Sequence, residues 1–317
     1  MISVNGISKS FGGNEAVKKI SFDVLPGESL ILLGTSGCGK TTTLKMINRL
    51  IAPDSGQINI NGKNIAGEKP EILRRSIGYV LQNNGLFPHY TVAENIAIVP
   101  KLLGWDNKKT ILRTQEILEK LHLSEQYLSM FPNALSGGQQ QRVGLARALV
   151  TDPSILLMDE PFGALDNVTR TSIRKEFKAL EELKRKTMVM VTHDIREAFE
   201  LADRICLMDR GKIIQIGTPK ELLFKPVNKF AKDFLAGEKL SLAFKAVSLE
   251  DLWDFLPTSD TQTPNAIPST ESMWDTMEKL QTQTSVEVKN KSGSYKNIDF
   301  DKLTAAFSLY QKGNRHE

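Results

Sequence analysis

Apolar and polar positions follow two patterns along the first 240 residues, short apolar runs and longer segments with helical spacing. The four clearest runs are each followed at once by polar residues or glycine, and they span residues 29–33, 77–81, 155–158 and 188–192. Short buried strands that alternate with helices are typical of a parallel sheet covered on both faces. The pattern therefore predicts an α/β fold with a parallel sheet core.

Two regions depart from this pattern. Residues 2–4, 20–24 and 57–60 alternate between apolar and polar side chains, and Asn61 with Gly62 is a typical hairpin turn, so we expect an antiparallel β flap. From about residue 85 to 150 the strands stop and apolar residues recur at helical spacing, which predicts an inserted helical subdomain. We interpret residues 1–239 as one domain that contains both.

The pattern weakens after residue 239. Residues 258–270 are rich in Thr, Pro, Ser and Asn, which predicts a linker. Beyond it, residues 272–280 predict a helix, 285–289 a strand, 291–294 a turn into a second strand, and 301–310 a helix. We therefore predict a small α+β appendage over residues 240–317.

Composition limits the class of protein. Of the 317 residues, 40% are hydrophobic and 25% charged, as in ordinary globular proteins and unlike disordered chains. No apolar run approaches the roughly 18 residues of a membrane-spanning helix, and the first residues do not have the pattern of a secretory signal. The two cysteines, Cys38 and Cys206, make no disulfide framework or metal set, so we expect a reducing, cytoplasmic setting.

The net charge of +4 is distributed unevenly. Residues 240–317 hold 8 Lys and Arg against 11 Asp and Glu, so the first 239 residues carry a net charge of +7. A mildly basic domain suits phosphate ligands or an acidic partner, although a solvated surface also accounts for much of this charge. No basic run is dense enough to predict binding to nucleic acid.

The segment after the first apolar run fits the motif G-x-x-x-x-G-K-[ST], which binds nucleotide phosphates. Its residues are Gly34, Thr35, Ser36, Gly37, Cys38, Gly39, Lys40 and Thr41, and Thr42 opens the helix-prone segment that follows. The glycines let backbone N–H groups converge on phosphate oxygens, and the helix N-terminus adds partial positive charge. Lys40 is expected on the β- and γ-phosphates, the Thr41 hydroxyl on Mg²⁺, and Cys38 as a small filler rather than a nucleophile.

The third apolar run ends in two carboxylates, Asp159 and Glu160. Alone, such a pair is an ordinary start of a loop. Beside a phosphate loop, Asp159 is placed to hold Mg²⁺ opposite Thr41. Glu160 is placed to polarise a water for attack on the γ-phosphate, because a general base must lie within hydrogen-bond reach of the proton it takes.

A second glycine pair lies at the start of another predicted helix, over residues 139–149. Ser136, Gly137, Gly138 and Gln139 fit an ordinary helix N-cap, in which a serine satisfies free backbone N–H groups. The same N–H groups also suit an anion. Both interpretations stay open, and the second gives the chain an additional phosphate-binding site.

Five motifs in one order make the chain resemble the nucleotide-binding subunits of ABC transporters. Over about residues 1–240 they are the phosphate loop, Gln82, the segment from Leu135 to Gln139, Asp159 with Glu160, and His193. The resemblance implies a P-loop NTPase fold that binds ATP and Mg²⁺. It also implies that Gln82 senses the metal and the γ-phosphate, and that His193 contacts the γ-phosphate and pairs with Glu160.

The family works as a head-to-tail dimer, so the resemblance implies a second ATPase subunit, expected to be an identical copy. The segment that starts at Ser136 in one subunit then closes over the ATP held by the other. Ala164, Leu165 and Asp166 match the loop that communicates between the two sites. Asp166 is therefore expected, with the Ser136 segment, beside the partner's ATP.

Three positions bear on how closely the chain follows the family. Phe11 stands where an aromatic side chain stacks on adenine, although Tyr is more usual there and Phe11 would equally suit the core. Thr35 and Asn167 stand where Pro is frequent. Neither departure removes a catalytic group.

Residues 44–51, 85–96 and 138–143 resemble the ATPases of importers for glycine betaine, choline and related osmoprotectants. The resemblance implies transmembrane permease subunits, an extracytoplasmic solute-binding protein and a place at the cytoplasmic face of the membrane. An importer of another amino acid or polar solute is the alternative. An ABC ATPase of DNA repair or translation would need a coiled-coil insertion or a second ATPase half, and the sequence shows neither.

The appendage is open to two interpretations. The C-terminal extension of that subfamily often carries paired CBS modules, and residues 272–307 have the element order of one degenerate half. A small dimerisation or packing appendage explains the same residues.

Overall fold

The buried apolar runs of the sequence form the strands around which the fold is built. The computed structural model describes residues 1–82, 85–163, 165–258 and 265–313. The chain divides into a unit of Met1–Ile214 and a unit of Gln215–Glu317. The domain boundary at residues 239 and 240, which rests on composition and motif coverage, stays a prediction.

The first unit contains most of the strands and the helices that cover them. Its strands are β1 (Ile2–Phe11), β2 (Asn14–Val24), β3 (Ser29–Gly34), β4 (Ser55–Ile60), β5 (Lys63–Asn64), β6 (Ile77–Val80), β7 (Ile155–Asp159), β8 (Thr187–Thr192), β9 (Arg204–Asp209) and β10 (Lys212–Gly217), which ends in the second unit. Its helices are α1 (Lys40–Ile47), α2 (Pro70–Arg75), α3 (Val92–Leu102), α4 (Asn107–Lys120), α5 (Gly137–Leu149), α6 (Asn167–Ala179) and α7 (Ile195–Leu201).

A six-stranded sheet in the order β10-β9-β3-β8-β7-β6 forms the core of this unit. β3 pairs in parallel with β8 and β9, and β7 pairs in parallel with β6 and β8. Every residue of β7 and β8 is buried, as expected for strands covered on both faces. The predicted parallel core is confirmed.

The antiparallel flap is also confirmed. β1 lies between β2 and β4 in a four-stranded sheet in the order β2-β1-β4-β5. Asn61 and Gly62 both have positive φ, 50° and 79°, as the hairpin turn between β4 and β5 requires. The flap extends further than the sequence pattern indicates, because β1 continues to Phe11 and β2 starts at Asn14.

The predicted helical insertion is formed by α3, α4 and α5. Among the described residues, no strand lies between β6 and β7. The buried side chain of Asn95 on α3 fixes the loop that enters the insertion, since it bonds both the N–H and the carbonyl of Phe87 and the carbonyls of Tyr90 and Thr91. The amide oxygen accepts one bond, and the two hydrogens of the NH₂ group are shared among three carbonyl oxygens, which makes this loop a defined structure.

The second unit is a small α+β structure. Its elements are α8 (Pro219–Phe224), α9 (Lys229–Leu235), α10 (Lys239–Ala246), β11 (Ile267–Pro268), α11 (Met273–Leu280), β12 (Val286–Lys289), β13 (Tyr295–Ile298) and α12 (Phe300–Gly313). β12 pairs in parallel with β11 and antiparallel with β13. The predicted order of helix, strand, turn, strand and helix is confirmed.

Residues 259–264 of the predicted linker lie outside the described residues, and its last part is wrong. Ile267 and Pro268 form β11, and Ser269 after them is buried. A two-residue strand is too short to show period-two alternation, so the sequence pattern could not reveal it. Within the described ranges, no helix of either unit is long and apolar enough to cross a membrane.

We predict that G78A destabilises the protein by about 2 kcal/mol, measured by urea unfolding. A Cβ on Gly78 in β6 would lie 2.5 Å from the Ala148 carbonyl oxygen of α5. The helix therefore packs this closely against β6 only because residue 78 has no side chain. The matched control is G67A, because Gly67 is exposed with nothing within 4 Å of its Cβ position. Equal unfolding midpoints for the two variants would contradict this account of the packing.

Candidate functional site

The carboxyl ends of three parallel strands bring the chemical groups of the site together. In the sheet register Leu33 lies opposite Thr192, and Asp159 lies opposite Val191. The phosphate loop follows β3, Glu160 follows β7 and His193 follows β8. Ligands of open α/β sheets bind at this edge.

Two glycines let the phosphate loop pack against the backbone behind it. A Cβ on Gly34 would lie 2.0 Å from the Met208 carbonyl oxygen, and one on Gly39 would lie 2.4 Å from the Ala16 carbonyl oxygen. Both residues have positive φ, as does Gly37, which has open space around it. Any larger residue at Gly34 or Gly39 would push the loop away from the sheet.

Lys40 is the first residue of α1 and lies folded back on the loop. Its Nζ donates to the carbonyl oxygens of Gly34 and Thr35, each at 2.9 Å, and the residue is only 6% exposed. Cys38 beside it is buried, and burial raises the pKa of its thiol despite the nearby ammonium. A thiol that stays protonated fits the prediction of a filler rather than a nucleophile.

Thr35 is tied to β9. Its hydroxyl donates to Asp209 Oδ1 at 3.0 Å, and Gly211 N–H donates to the Cys38 carbonyl oxygen at 3.2 Å. The turn after β9 therefore holds the loop from the side. Sequence reasoning missed Asp209, because the bond joins residues 174 positions apart whose neighbourhood depends on the strand order.

Asp159 and Thr41 meet as predicted. The Thr41 hydroxyl donates to Asp159 Oδ1 at 2.8 Å, and Asp159 is 3% exposed. Burial raises the pKa of this carboxyl, and the Thr41 bond and the charges of Lys45 and Lys40 compensate only in part. A buried carboxylate whose charge is disfavoured is stabilised by a cation beside it.

The residues present fit Mg²⁺ by their donor chemistry. The hydroxyl of Thr41, the carboxylate of Asp159 and the amide oxygen of Gln82 are the hard oxygen ligands that this ion prefers. Within the described part of the chain, no group of three or more His, Cys, Asp or Glu is arranged to hold a metal. Three protein ligands would leave the other positions of an octahedral Mg²⁺ to water and phosphate oxygens.

Glu160 lies between Gln82 and His193. Gln82 Nε2 donates to Glu160 Oε2 at 3.0 Å, and His193 Nδ1 lies 3.2 Å from Glu160 Oε1. Glu160 has a positive φ of 45°, and its N–H donates to the Val191 carbonyl oxygen at 2.9 Å. A non-glycine residue held in this backbone conformation is typical of functional sites.

The segment of Ser136 forms a helix cap in this structure. Ser136 Oγ accepts from Gln139 N–H, and Gln139 Oε1 accepts from Ser136 N–H, a reciprocal capping box at the start of α5. Ser136 and Gly137 are exposed. Gly138 packs against Thr169 on α6, and a Cβ added to Gly138 would lie 3.0 Å from Thr169 Cγ2. The capping interpretation is confirmed, and the anion-binding one stays a prediction.

The remaining predicted residues lie in the cap of α6, at the end of β1 and in or beside the phosphate loop. Asp166 caps α6, accepting from Val168 N–H and Thr169 N–H, and Ala164 lies outside the described residues. Phe11 at the end of β1 is 49% exposed, so the alternative that it belongs to the core is wrong. Thr42 is half-buried in the first turn of α1, and Ser36 is exposed in the phosphate loop.

The chain is similar to proteins with known roles. The family model described as ABC transporter matches residues 17–163. The glycine betaine/carnitine/choline transport ATP-binding protein OpuCA of Bacillus subtilis is 51% identical over 241 residues, which are 76% of this chain and 63% of that protein. The glycine betaine uptake system ATP-binding protein YehX of Escherichia coli is 45% identical over 256 residues, 81% of this chain and 82% of that protein. The chain spans less than two thirds of the length of the Bacillus subtilis relative.

A solved structure supports the same grouping. The dimeric post-hydrolysis state of the ATP-binding cassette MJ0796 bound to ADP and Pi matches with a TM-score of 0.62 and 33% identity, over 69% of this chain and 98% of that one. At this identity the likeness extends beyond a shared topology. The fold predicted from the motifs is confirmed.

We predict that D159N stabilises the nucleotide-free protein by about 1 kcal/mol at neutral pH, measured by urea unfolding. Asparagine keeps an oxygen for the Thr41 hydroxyl and removes the charge that burial disfavours. Since the folded-state pKa of Asp159 lies above its ordinary value, wild-type stability falls as pH rises through that window. The gain should therefore shrink as pH falls and be lost below about pH 3, where the carboxyl is protonated in both states.

The matched control is D166N. Asp166 is exposed, and asparagine caps a helix as well as aspartate does. We expect no gain in unfolding free energy there. A D159N protein no more stable than wild type at neutral pH would show that the Asp159 charge is not penalised.

Proposed function

The chain belongs to the ABC transporter ATP-binding proteins, and we propose that it hydrolyses ATP to drive an importer of osmoprotectants such as glycine betaine or choline. The observation that carries the hydrolytic part is Glu160, held between Gln82 and His193 at 3.0 and 3.2 Å beside the phosphate loop. The names of the relatives support the choice of solute.

ATP is the proposed ligand of the loop from Gly34 to Thr42. Backbone N–H groups at the start of α1 hold the phosphates, and Lys40 exchanges its two carbonyl partners for phosphate oxygens. Thr35, Ser36, Gly37, Cys38 and Gly39 contribute backbone to this cradle. Phe11, half exposed at the end of β1, offers a ring face to the adenine.

Glu160 is the proposed general base. Its carboxylate takes a proton from water as the water attacks the γ-phosphorus and the bond to the bridging oxygen breaks, which releases ADP. The Gln82 amide and the His193 ring orient the carboxylate and the phosphate. Mg²⁺, held by Thr41, Asp159 and Gln82, would neutralise charge on the phosphates. All these groups lie at the carboxyl ends of β3, β6, β7 and β8, or just beyond them.

A second copy of the chain is the proposed partner in hydrolysis. Ser136, Gly137, Gly138 and Gln139 would close over the ATP of the partner subunit, with Asp166 beside them. The exposure of Ser136 and Gly137 at the N-terminus of α5 supports this, since the capping box uses the N–H groups of Ser136 and Gln139 and leaves those of Gly137 and Gly138 to suit an anion. The dimeric form of the MJ0796 cassette supports it as well.

The helical subdomain is the proposed contact with transmembrane permease subunits at the cytoplasmic face of the membrane. Phe87 and Tyr90 are about half exposed, with ring centroids 5.5 Å apart, in the loop that Asn95 fixes. An exposed aromatic pair on a defined loop suits docking of a helix. An extracytoplasmic solute-binding protein would act indirectly, through the permease.

Residues 240–317 are proposed as an accessory module. The order β11, α11, β12, β13, α12 matches one CBS-like half, and the parallel pairing of β11 with β12 supports that interpretation over an irregular packing appendage.

We predict that E160Q retains ATP binding but loses at least about 100-fold in kcat and accumulates as an ATP-bound dimer. Glutamine keeps the shape and the Gln82 contact but cannot accept the proton. The measurements are phosphate release, and size-exclusion chromatography with and without ATP. Wild-type turnover in E160Q would reject Glu160 as the base.

The matched comparison is K40A. Lys40 donates to the loop carbonyls and is proposed on the phosphates, so its loss should weaken ATP affinity by at least about tenfold, measured by calorimetry. The two variants thus separate binding from chemistry. Undiminished ATP affinity in K40A would contradict the role of the loop.

The solute is tested by uptake in the source cells. Deleting the gene should abolish a component of labelled glycine betaine or choline uptake at high osmolarity, and wild type but not E160Q should restore it. Labelled spermidine is the control solute, because its several amines differ from one quaternary amine. Restoration of spermidine uptake instead would reject the osmoprotectant assignment.

A further inference from the structure

The turn that carries His193 is fastened by a buried hydrogen-bond bridge. Thr192, the last residue of β8, is 1% exposed, and its hydroxyl bonds in two directions. It donates to Glu197 Oε2 at 2.6 Å, and it accepts from the N–H of Asp194 at 3.0 Å. The bridge therefore spans His193 from one side to the other.

Glu197 anchors the bridge inside the protein. It lies in the first turn of α7 and is 2% exposed. Burial raises the pKa of its carboxyl, while the Thr192 bond and the charges of Arg174 and Arg170 act in the opposite direction. Loss of this donor would leave a buried carboxylate without a hydrogen bond, which costs free energy. The 2.6 Å bond therefore holds the Thr192 hydroxyl in place.

The far side of the turn is held by Asp194. Its carboxylate caps α7 by accepting from the N–H groups of Arg196 and Glu197, and it lies 3.7 Å from Arg170. Arg170 also donates to the carbonyl oxygens of Phe162 and Leu165, in the loop that follows Glu160. The turn of His193 and the loop of Glu160 thus share one support.

The imidazole itself has little packing to orient it. The side chain of His193 is 62% exposed, yet its Nδ1 lies 3.2 Å from Glu160 Oε1. Few neighbours restrict the rotamer of an exposed ring. The backbone of the turn sets the positions of Cα and Cβ, and these decide whether a rotamer can bring Nδ1 to Glu160. That backbone is what Thr192 and Glu197 fix.

We propose that Thr192 and Glu197 are positioning residues that hold His193 against Glu160. The inference rests on the proposed ATPase function and deepens it. Both residues are buried, and both act through the backbone of the turn that carries His193. Their loss moves the imidazole while leaving the phosphate loop intact. Misplacement of a catalytic group by about 1 Å is enough to cost on the order of 100-fold in rate.

The test uses the full chain and the pair T192V/E197M. Valine and methionine match the shapes of the originals, and changing both residues together leaves no buried carboxylate without its donor. Only the partly buried N–H of Asp194 loses its acceptor, so we expect the fold to be retained. We expect kcat to fall at least about tenfold with KM for ATP within about threefold of wild type. T192S keeps the hydroxyl and should behave as wild type.

A double-mutant cycle with H193A separates positioning from general damage. If the bridge acts through His193, T192V/E197M should cause no further loss of kcat in the H193A background. An equal loss in both backgrounds, or wild-type kcat in T192V/E197M, would overturn the proposal.

A second readout does not depend on hydrolysis. The sequence has 4 histidines, so selectively ¹⁵N-labelled protein gives few imidazole signals, and H193A identifies the one sought. That signal should shift or broaden in T192V/E197M and return in T192S, while the others stay. An unchanged His193 signal would overturn the proposal, whereas absent ATP hydrolysis in the wild type would overturn the proposed function alone.

Discussion

The site depends on two buried charges of opposite sign, those of Lys40 and Asp159, whose hydrogen-bond partners are neutral groups and which compensate each other only in part. Lys40, 6% exposed, donates to carbonyl oxygens, and Asp159, 3% exposed, accepts from a hydroxyl. Neutral partners satisfy the hydrogen-bonding groups but do not cancel the charges. Each charge therefore retains a strong preference for an opposite charge. A polyphosphate with a divalent cation supplies both, an anion for Lys40 and a cation for Asp159.

The parallel sheet is what keeps these charges fixed. β3 is flanked on both sides by parallel strands, and β7 lies beyond β8, so the loops after β3, β7 and β8 leave one edge side by side. The strands are buried on both faces and cannot shift register without exposing apolar side chains. Stability of the core and geometry of the site are therefore one property of the fold.

The sequence predicted the elements and the charged groups because both leave local signals. Apolar runs, turn residues and the glycine-rich loop depend on near neighbours in the chain. The supports of the site leave no such signal: Thr35 reaches Asp209 only because β9 lies beside β3, and Arg170 meets Asp194 only because α6 and α7 pack near the same edge. Glu197 would have looked like a solvated residue of a short helix. The sequence could not predict these buried partners, because only the order of the strands and helices in the fold brings them together.

The close packing behind the phosphate loop affects how the sequence of the loop can evolve. Gly34 and Gly39 are confined from behind, by the carbonyl oxygens of Met208 and Ala16, whatever lies in front of them. A descendant that ceased to use ATP would still need both glycines to keep the loop packed against the backbone behind it. The two glycines would thus be retained because the loop needs its shape. Lys40, Asp159 and Glu160 could be replaced once the chemistry is no longer needed. The presence of the glycines is therefore weak evidence of activity, whereas the presence of the charged residues is strong evidence of it.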